Sequence, residues 1–316
     1  MKKTTAAILG AGQIGAFFDS PAKRDRVLTH AHAYSAMRSR VTLAAFYDAD
    51  IRKAKAAAQR WGGKPYSNLN RLLKEIRPDI VSVCTPDATH SRVLSSIAAV
   101  SHKPKLIFSE KPLNVFGPAY KRLRQSLKGN RTTLTVNYTR RWSPEFAGLK
   151  KRIDRNEFGP LTKGICFYTG TLMHNGVHAV DLFQWYLGPV KSWTRSKSAR
   201  TQSPDVCLEF SSGQNVQLIS VPNTSYSVFD IQLFFEKAAV LISQTANSIT
   251  FYKSASHPVY PGRFRLVPAG VREKVFFKPM LHAMTGLLDF MDGKAKLPLS
   301  LSEVQAVENL CRKIVA

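Results

Sequence analysis

Long apolar runs are missing from this sequence. None approaches the roughly eighteen residues that a membrane-spanning helix needs, which leaves a chain expected to work in water. The apolar stretch behind Met1-Lys2-Lys3 is only Ala6-Ala7-Ile8-Leu9, too brief for the core of a signal peptide, so the expected location is the cytoplasm. Cysteine is scarce. Cys84, Cys166, Cys207 and Cys311 lie far apart with no Cys-x-x-Cys pair, which argues against a disulfide framework and fits free thiols in a reducing compartment. Cys84 sits in an apolar run and reads as core, not as a nucleophile. Internal repeats and low-complexity tracts are absent as well.

Acidic residues are few. Twenty-one Asp and Glu stand against 46 Lys and Arg, a formal net charge of +25. Such a field attracts anions. The basic residues, however, are spread along the whole chain, without a dense basic arm, a zinc spacing or an aromatic RNA-binding motif. A solvated basic surface is the expectation, with no nucleic acid and no membrane as partner. An anionic small-molecule substrate such as a nucleotide sugar is the sharper alternative.

What is present is ample. With 316 residues, 44% of them apolar, the chain has the material for two packed domains. From Thr4 onward, short apolar strands alternate with helical segments: strands at Thr4 to Leu9, Val41 to Tyr47, Ile80 to Cys84, Leu106 to Phe108 and Thr132 to Tyr138. Helices are expected at His30 to Met37, Ile51 to Trp61, Leu69 to Ile76, Ser91 to Val100 and Pro118 to Leu127. This is the pattern of a doubly wound parallel sheet. The segment from Asp19 to Leu28, polar and containing Pro21, reads as an inserted loop. A boundary is placed after Thr139, giving domains 1–139 and 140–316.

Beyond it, a helix from Pro144 to Arg155, a strand from Leu161 to Thr169 and a helix from Val177 to Leu187 are followed by consecutive strands. These fall at Val206 to Phe210, Val216 to Val221, Phe229 to Phe235, Ala239 to Ser243, Ser248 to Tyr252 and Arg263 to Val267. Short connections between them predict a large mixed, mainly antiparallel sheet. Helices close the chain at Pro279 to Met291 and from Ser302, the latter opened by the capping box Ser300-Leu301-Ser302-Glu303.

The first strand runs straight into Gly10-Ala11-Gly12-Gln13-Ile14-Gly15, a dinucleotide fingerprint in its required context. Gly10 permits the tight turn, Gly12 lets backbone approach a pyrophosphate, and Gly15 allows close helix–strand packing. Asp48, at the end of the second strand, is the candidate for the adenosine ribose hydroxyls. It lies 33 residues beyond Gly15, and the inserted loop accounts for the excess over the usual ~20. NAD is therefore favoured. NADP remains possible through Arg52 and Lys53.

Two loops fall at later strand ends, where such sheets bind ligands: Thr85-Pro86 with His90, and Glu110-Lys111-Pro112. Lys111 can hold or shift a proton on a substrate hydroxyl. In the second domain, His174-Asn175-Gly176-Val177-His178-Ala179-Val180-Asp181 opens a helix. His174 and His178, four apart, would share a helical face. No third ligand stands at a diagnostic spacing, so no metal is expected. One histidine can take a hydroxyl proton, Asn175 can anchor a substrate hydroxyl, and Asp181 can orient a histidine.

With Asn137-Tyr138, Arg140-Arg141 and Leu187-Gly188 added, the chain resembles the glucose-fructose oxidoreductase / inositol dehydrogenase / MocA family over nearly its whole length. The resemblance implies a Rossmann domain followed by an α+β domain with a large mixed sheet that forms dimers or tetramers. It implies sugar, cyclitol or nucleotide-sugar substrates and Lys111 and His178 as the proton-handling pair. It further implies that Gly10, Gly12, Gln13, Ile14, Gly15, Asp48, Thr85, Pro86, His90, Glu110 and Lys111 serve the cofactor. The substrate would meet His174, Asn175, Asp181, Arg140 and Tyr138. One position departs from the pattern: many members carry an acid four residues before the histidine, and here it is His174. That departure keeps a non-catalytic NAD(P)-binding regulator as the alternative.

Overall fold

The computed structural model describes residues 3–22, 25–196, 203–222 and 225–316. Residues 23 and 24 of the inserted loop lie outside them. The chain divides into two compact units, one of Met1–Trp142 with Phe277–Gln305, the other of Ser143–Phe276 with Ala306–Ala316.

In chain order, the first unit contains β1 (Thr4–Leu9), α1 (His30–Ala36), β2 (Val41–Tyr47), α2 (Ile51–Trp61), β3 (Lys64–Tyr66) and α3 (Leu69–Ile76). β4 (Ile80–Val83), α4 (His90–Ala99), β5 (Leu106–Ser109), α5 (Gly117–Gly129) and β6 (Thr133–Val136) complete the alternation. All six strands are parallel, in the order β3-β2-β1-β4-β5-β6. This is the doubly wound order, and its crevice lies at the carboxyl ends of β1 and β4, where the winding reverses. Every residue of β4 and β5 is buried, as a strand covered on both faces requires. Each fully buried Ile, Leu or Phe there contributes roughly 1.5–3 kcal/mol of transfer free energy.

Local signals start the helices. The side chains of Thr29, Asp50 and Asn68 each accept a backbone N–H in the first turn of the helix they precede.

The second unit contains α6 (Pro144–Asp154), β7 (Leu161–Thr169), α7 (Val177–Leu187), β8 (Val190–Ser196), β9 (Asp205–Phe210), β10 (Asn215–Val221) and β11 (Phe229–Phe235). β12 (Ala238–Ser243), β13 (Ser248–Ser256) and β14 (Phe264–Glu273) follow. The eight strands run in the order β14-β13-β12-β11-β7-β10-β9-β8, and only β7 and β10 pair in parallel. Alternating burial along β9, β10 and β11 shows one face turned to the core. α7 reaches that face over Gly164, where a Cβ would stand 2.7 Å from Val216 and 3.1 Å from the Phe183 ring.

α8 (Pro279–Met291) and α9 (Leu301–Val315) end the chain. α8 returns to the first unit, which a single boundary after Thr139 does not anticipate. Its Met280, Ala283, Met284 and Leu287 are buried in one cluster with Ala31 and Tyr34 of α1. Gly286 faces Trp142, whose ring would lie 2.9 Å from a Cβ there. Arg40 adds ion pairs to Asp289 at 2.8 Å and Asp292 at 2.9 Å.

Candidate functional site

Each glycine of the fingerprint has a distinct geometric reason. Gly10 has φ +102°, and a Cβ there would lie 2.4 Å from the backbone of Cys84, so only glycine fits between β1 and β4. At Gly15 a Cβ would stand 2.1 Å from the Gly10 carbonyl oxygen. Around Gly12 nothing lies within 4 Å of that position, which leaves its backbone open to a ligand. After the fingerprint the chain makes a single π-helical turn, Gln13–Phe17. Trp61 Nε1 donates to the Ala16 carbonyl at 2.8 Å and the Arg60 guanidinium lies over Phe17, so the end of α2 holds the turn.

The inserted loop stops the helix because Asp19 turns inward. Its carboxylate accepts from Leu28 N, Thr29 N, Thr29 Oγ1 and His32 Nδ1, between 2.6 and 3.3 Å. Val27 N donates to the Phe277 carbonyl at 2.9 Å, tying the loop to the segment that opens α8.

Asp48 follows β2 and faces the fingerprint. It accepts from Ala11 N at 2.9 Å and from Asp50 N at 3.0 Å. The carboxylate is thereby fixed at the edge of the turn with lone pairs remaining for hydroxyl donors. Arg52, which could otherwise serve a phosphate on the ribose, folds back onto Asp50 through two bonds of 3.0 and 2.9 Å.

The loops after β4 and β5 are braced together. Thr85 Oγ1 is buried with no hydrogen-bond partner among the described residues. His90 is fully buried; Nδ1 lies 2.7 Å from the Pro112 carbonyl and Nε2 2.8 Å from the Thr85 carbonyl. The ring stands between the two loops, with a backbone carbonyl of one loop at each nitrogen. Between them runs Glu110-Lys111-Pro112, with a cis peptide before the proline. Glu110 N donates to the Val83 carbonyl at 2.8 Å. Burial pushes the Glu110 carboxyl up, but the hydrogen bond and charge of His30, then the bond from Asn137 and the charge of Lys111, outweigh it, and it ends below the ordinary carboxylate value. The Cys84 thiol is driven well up by burial and then by the Glu110 charge, so it is inert at neutral pH, as its place in the core suggests.

Sequence reasoning missed His30, Ser82 and Tyr34. His30 Nε2 lies 2.8 Å from Glu110 Oε1 and Nδ1 lies 3.0 Å from Ser82 Oγ, which meets Tyr34 Oη at 2.8 Å. Asn137 Nδ2 donates to the same Glu110 oxygen at 2.7 Å. The one signal in the sequence was Thr29 at the start of α1, which places His30 at its first position. Tyr138 and Arg140, expected to meet substrate, are buried beyond the end of β6.

In the second unit, the helix opening is built on Thr171. Its Oγ1 accepts from His174 N at 3.1 Å, and its carbonyl accepts from His174, Asn175 and Gly176. Asn175 Nδ2 donates to the Thr169 carbonyl at 3.0 Å, pinning the turn to the end of β7. Gly176 packs on Tyr168, whose ring would lie 3.0 Å from a Cβ. His174 and His178 do not share one environment. His174 lies exposed in the π-helical turn Leu172–Gly176, while His178 is 8% exposed on α7, edge-on to Phe229 at 6.4 Å. Asp181, one turn on from His178, is buried.

NAD fits the first unit on its geometry: an open Gly12 backbone, a fixed acid at Asp48, and buried side-chain oxygens on Thr85, after β4, and Asn137, after β6, that have no hydrogen-bond partner among the described residues. Comparison with known proteins agrees. Residues 4–138 match the family model described as "Oxidoreductase family, NAD-binding Rossmann fold". Inositol 2-dehydrogenase 2 of Saccharopolyspora erythraea is 27% identical over 274 residues, 78% of this chain and 75% of that protein. Among solved structures, the WlbA dehydrogenase from Bordetella pertussis, crystallised with NADH and UDP-GlcNAcA, superposes with a TM-score of 0.74 at 19% identity. The match covers 99% of this chain and 95% of that one. UDP-N-acetylglucosamine 3-dehydrogenase GnnA from Acidithiobacillus ferrooxidans gives 0.77 at 16% identity, covering 99% and 97%. At these identities the structural likenesses establish the fold.

Proposed function

We propose that the chain is a member of the glucose-fructose oxidoreductase / inositol dehydrogenase / MocA family, whose model matches residues 4–138, and that as an NAD-dependent dehydrogenase it interconverts a ring hydroxyl and a ketone on a sugar, cyclitol or nucleotide sugar. The single observation that carries this reading is the convergence of the fingerprint, Asp48 and the Glu110-Lys111-Pro112 loop on one edge of one parallel sheet. NAD, when bound, supplies the hydride acceptor or donor. Gly10 to Gly15 would hold its pyrophosphate and Asp48 its adenosine ribose.

The remaining chemistry falls to the chain's own residues. Oxidation of a secondary alcohol requires that the hydroxyl proton leave as the carbon is oxidised, so a base must stand at that oxygen. Lys111 and His178 are the proposed proton-handling residues. Both belong to side-chain types that change protonation at a modest cost once partly buried. Asp181, buried three residues after His178 on α7, orients it. His174 and Asn175 would meet substrate hydroxyls at the start of that helix.

The relatives' names span inositol and UDP-sugar dehydrogenases, so the substrate panel should contain myo-inositol, scyllo-inositol, glucosides and UDP-N-acetylhexosamine derivatives. One or more should change the nicotinamide absorbance with wild-type protein. Lys111→Ala and His178→Ala should each lower turnover by about a hundredfold or more, while NADH binding, read by fluorescence, is kept. Undiminished turnover in both variants refutes the assignment. A silent panel with intact NADH binding favours a non-catalytic sensor.

A further inference from the structure

A second anchored acid stands just beyond Asp48. Asp50 caps α2, and its carboxylate accepts from Arg52 N at 3.0 Å, Arg52 Nε at 3.0 Å and Arg52 Nη2 at 2.9 Å. The Asp50 N–H in turn donates to Asp48 Oδ1 at 3.0 Å, and Asp48 Oδ2 accepts from Ala11 N at 2.9 Å. One run of hydrogen bonds thus joins the fingerprint turn, Asp48, Asp50 and the Arg52 guanidinium.

These contacts take up the donors that a phosphate at this edge would need. A 2′-phosphate on the adenosine ribose is held by a guanidinium or by N–H groups at a helix start. Asp50 engages both kinds on Arg52, and its two oxygens meet the guanidinium side by side, as two phosphate oxygens would. Arg71, which shares a cavity with Ile51 at the end of β3, is also paired, its Nε 2.7 Å from Glu75 Oε1.

We propose that Asp50 is a specificity-determining residue for the cofactor: its carboxylate stands in for a 2′-phosphate, so NADH binds beside it and NADPH finds the Arg52 donors taken. This rests on the reading of Asp48 as the partner of the adenosine ribose. The two acids then have separate tasks. Asp48 accepts from the ribose hydroxyls, and Asp50 withholds the arginine that a phosphate in their place would recruit.

The side-chain and backbone bonds from Arg52 hold the Asp50 carboxyl below its ordinary value, so the carboxylate is present throughout the neutral range. Arg52 itself is exposed, and water and salt weaken an exposed pair. The withheld affinity is accordingly a modest factor, not an absolute block.

The test uses the full-length protein without substrate, titrated with NADH and with NADPH at low salt and followed by nicotinamide fluorescence. Asp50→Asn keeps a side-chain cap on α2 and removes the charge. It should tighten NADPH binding by about threefold to fivefold, while NADH affinity stays within about twofold. The gain must run through the released guanidinium, so it should vanish when Arg52→Ala is added to Asp50→Asn. NADPH affinity unchanged in Asp50→Asn overturns the inference. A gain that persists in the double variant overturns it too, because removal of a repelling charge then accounts for the whole effect. Neither result touches the Asp48 reading. NADH affinity unchanged in Asp48→Ala overturns that reading, and the inference falls with it.

Discussion

At the scale of single residues, the proposed preference for NAD rests on Asp48. Both carboxylate oxygens are already aligned by backbone donors, Ala11 N on one and Asp50 N on the other. A side chain held by its own backbone loses little freedom when hydroxyl donors arrive, and a 2′-phosphate would meet its negative charge. Hydrogen bonds to a charged group are worth roughly 1.5–3 kcal/mol. Asp48→Ala should therefore weaken NADH binding about tenfold or more and narrow the gap to NADPH. Fluorescence titration with each cofactor measures this, and unchanged NADH affinity contradicts it. The fingerprint and Asp48 were legible in the sequence because strand, turn and acid carry local marks. His30 was not, since its partner Glu110 lies 80 positions away and an isolated histidine in a polar segment has no local signature.

At the scale of elements, caps and periodicity did most of the work, and their failures have physical causes. β3 is three residues long, contains Pro65 and sits at a sheet edge, where charge and proline guard against further pairing and erase the apolar pattern. β8 is the opposite case of the same rule, an edge strand whose Lys191 and Arg195 are exposed. The hairpin of β13 and β14 outruns its apolar stretch because much of it is solvated; Phe264, Leu266 and Val271 are themselves exposed.

The capping box before α9, by contrast, was read correctly from four letters. Ser300 Oγ accepts from Glu303 N at 3.3 Å, and Glu303 Oε2 accepts from Ser300 N at 2.9 Å. Ser300→Ala should cost about 1 kcal/mol, visible as a lower unfolding midpoint in urea with an unchanged slope. No loss of stability would mean that the box is not formed in solution.

At the scale of the whole molecule, the sequence supplied both fold classes but not the return of the chain. α8 rejoins the first unit because its apolar face is needed to cover α1 and Trp142, and no motif near residue 277 announces that demand. The central claim is that this chain moves a hydride between a ring carbon and nicotinamide. The most direct measurement uses substrates from the panel deuterated at the carbinol carbon, with the product nicotinamide analysed by mass spectrometry. The account predicts deuterium on the nicotinamide ring, and its loss in Lys111→Ala and His178→Ala. Oxidised product formed without any deuterium on the nicotinamide would contradict it.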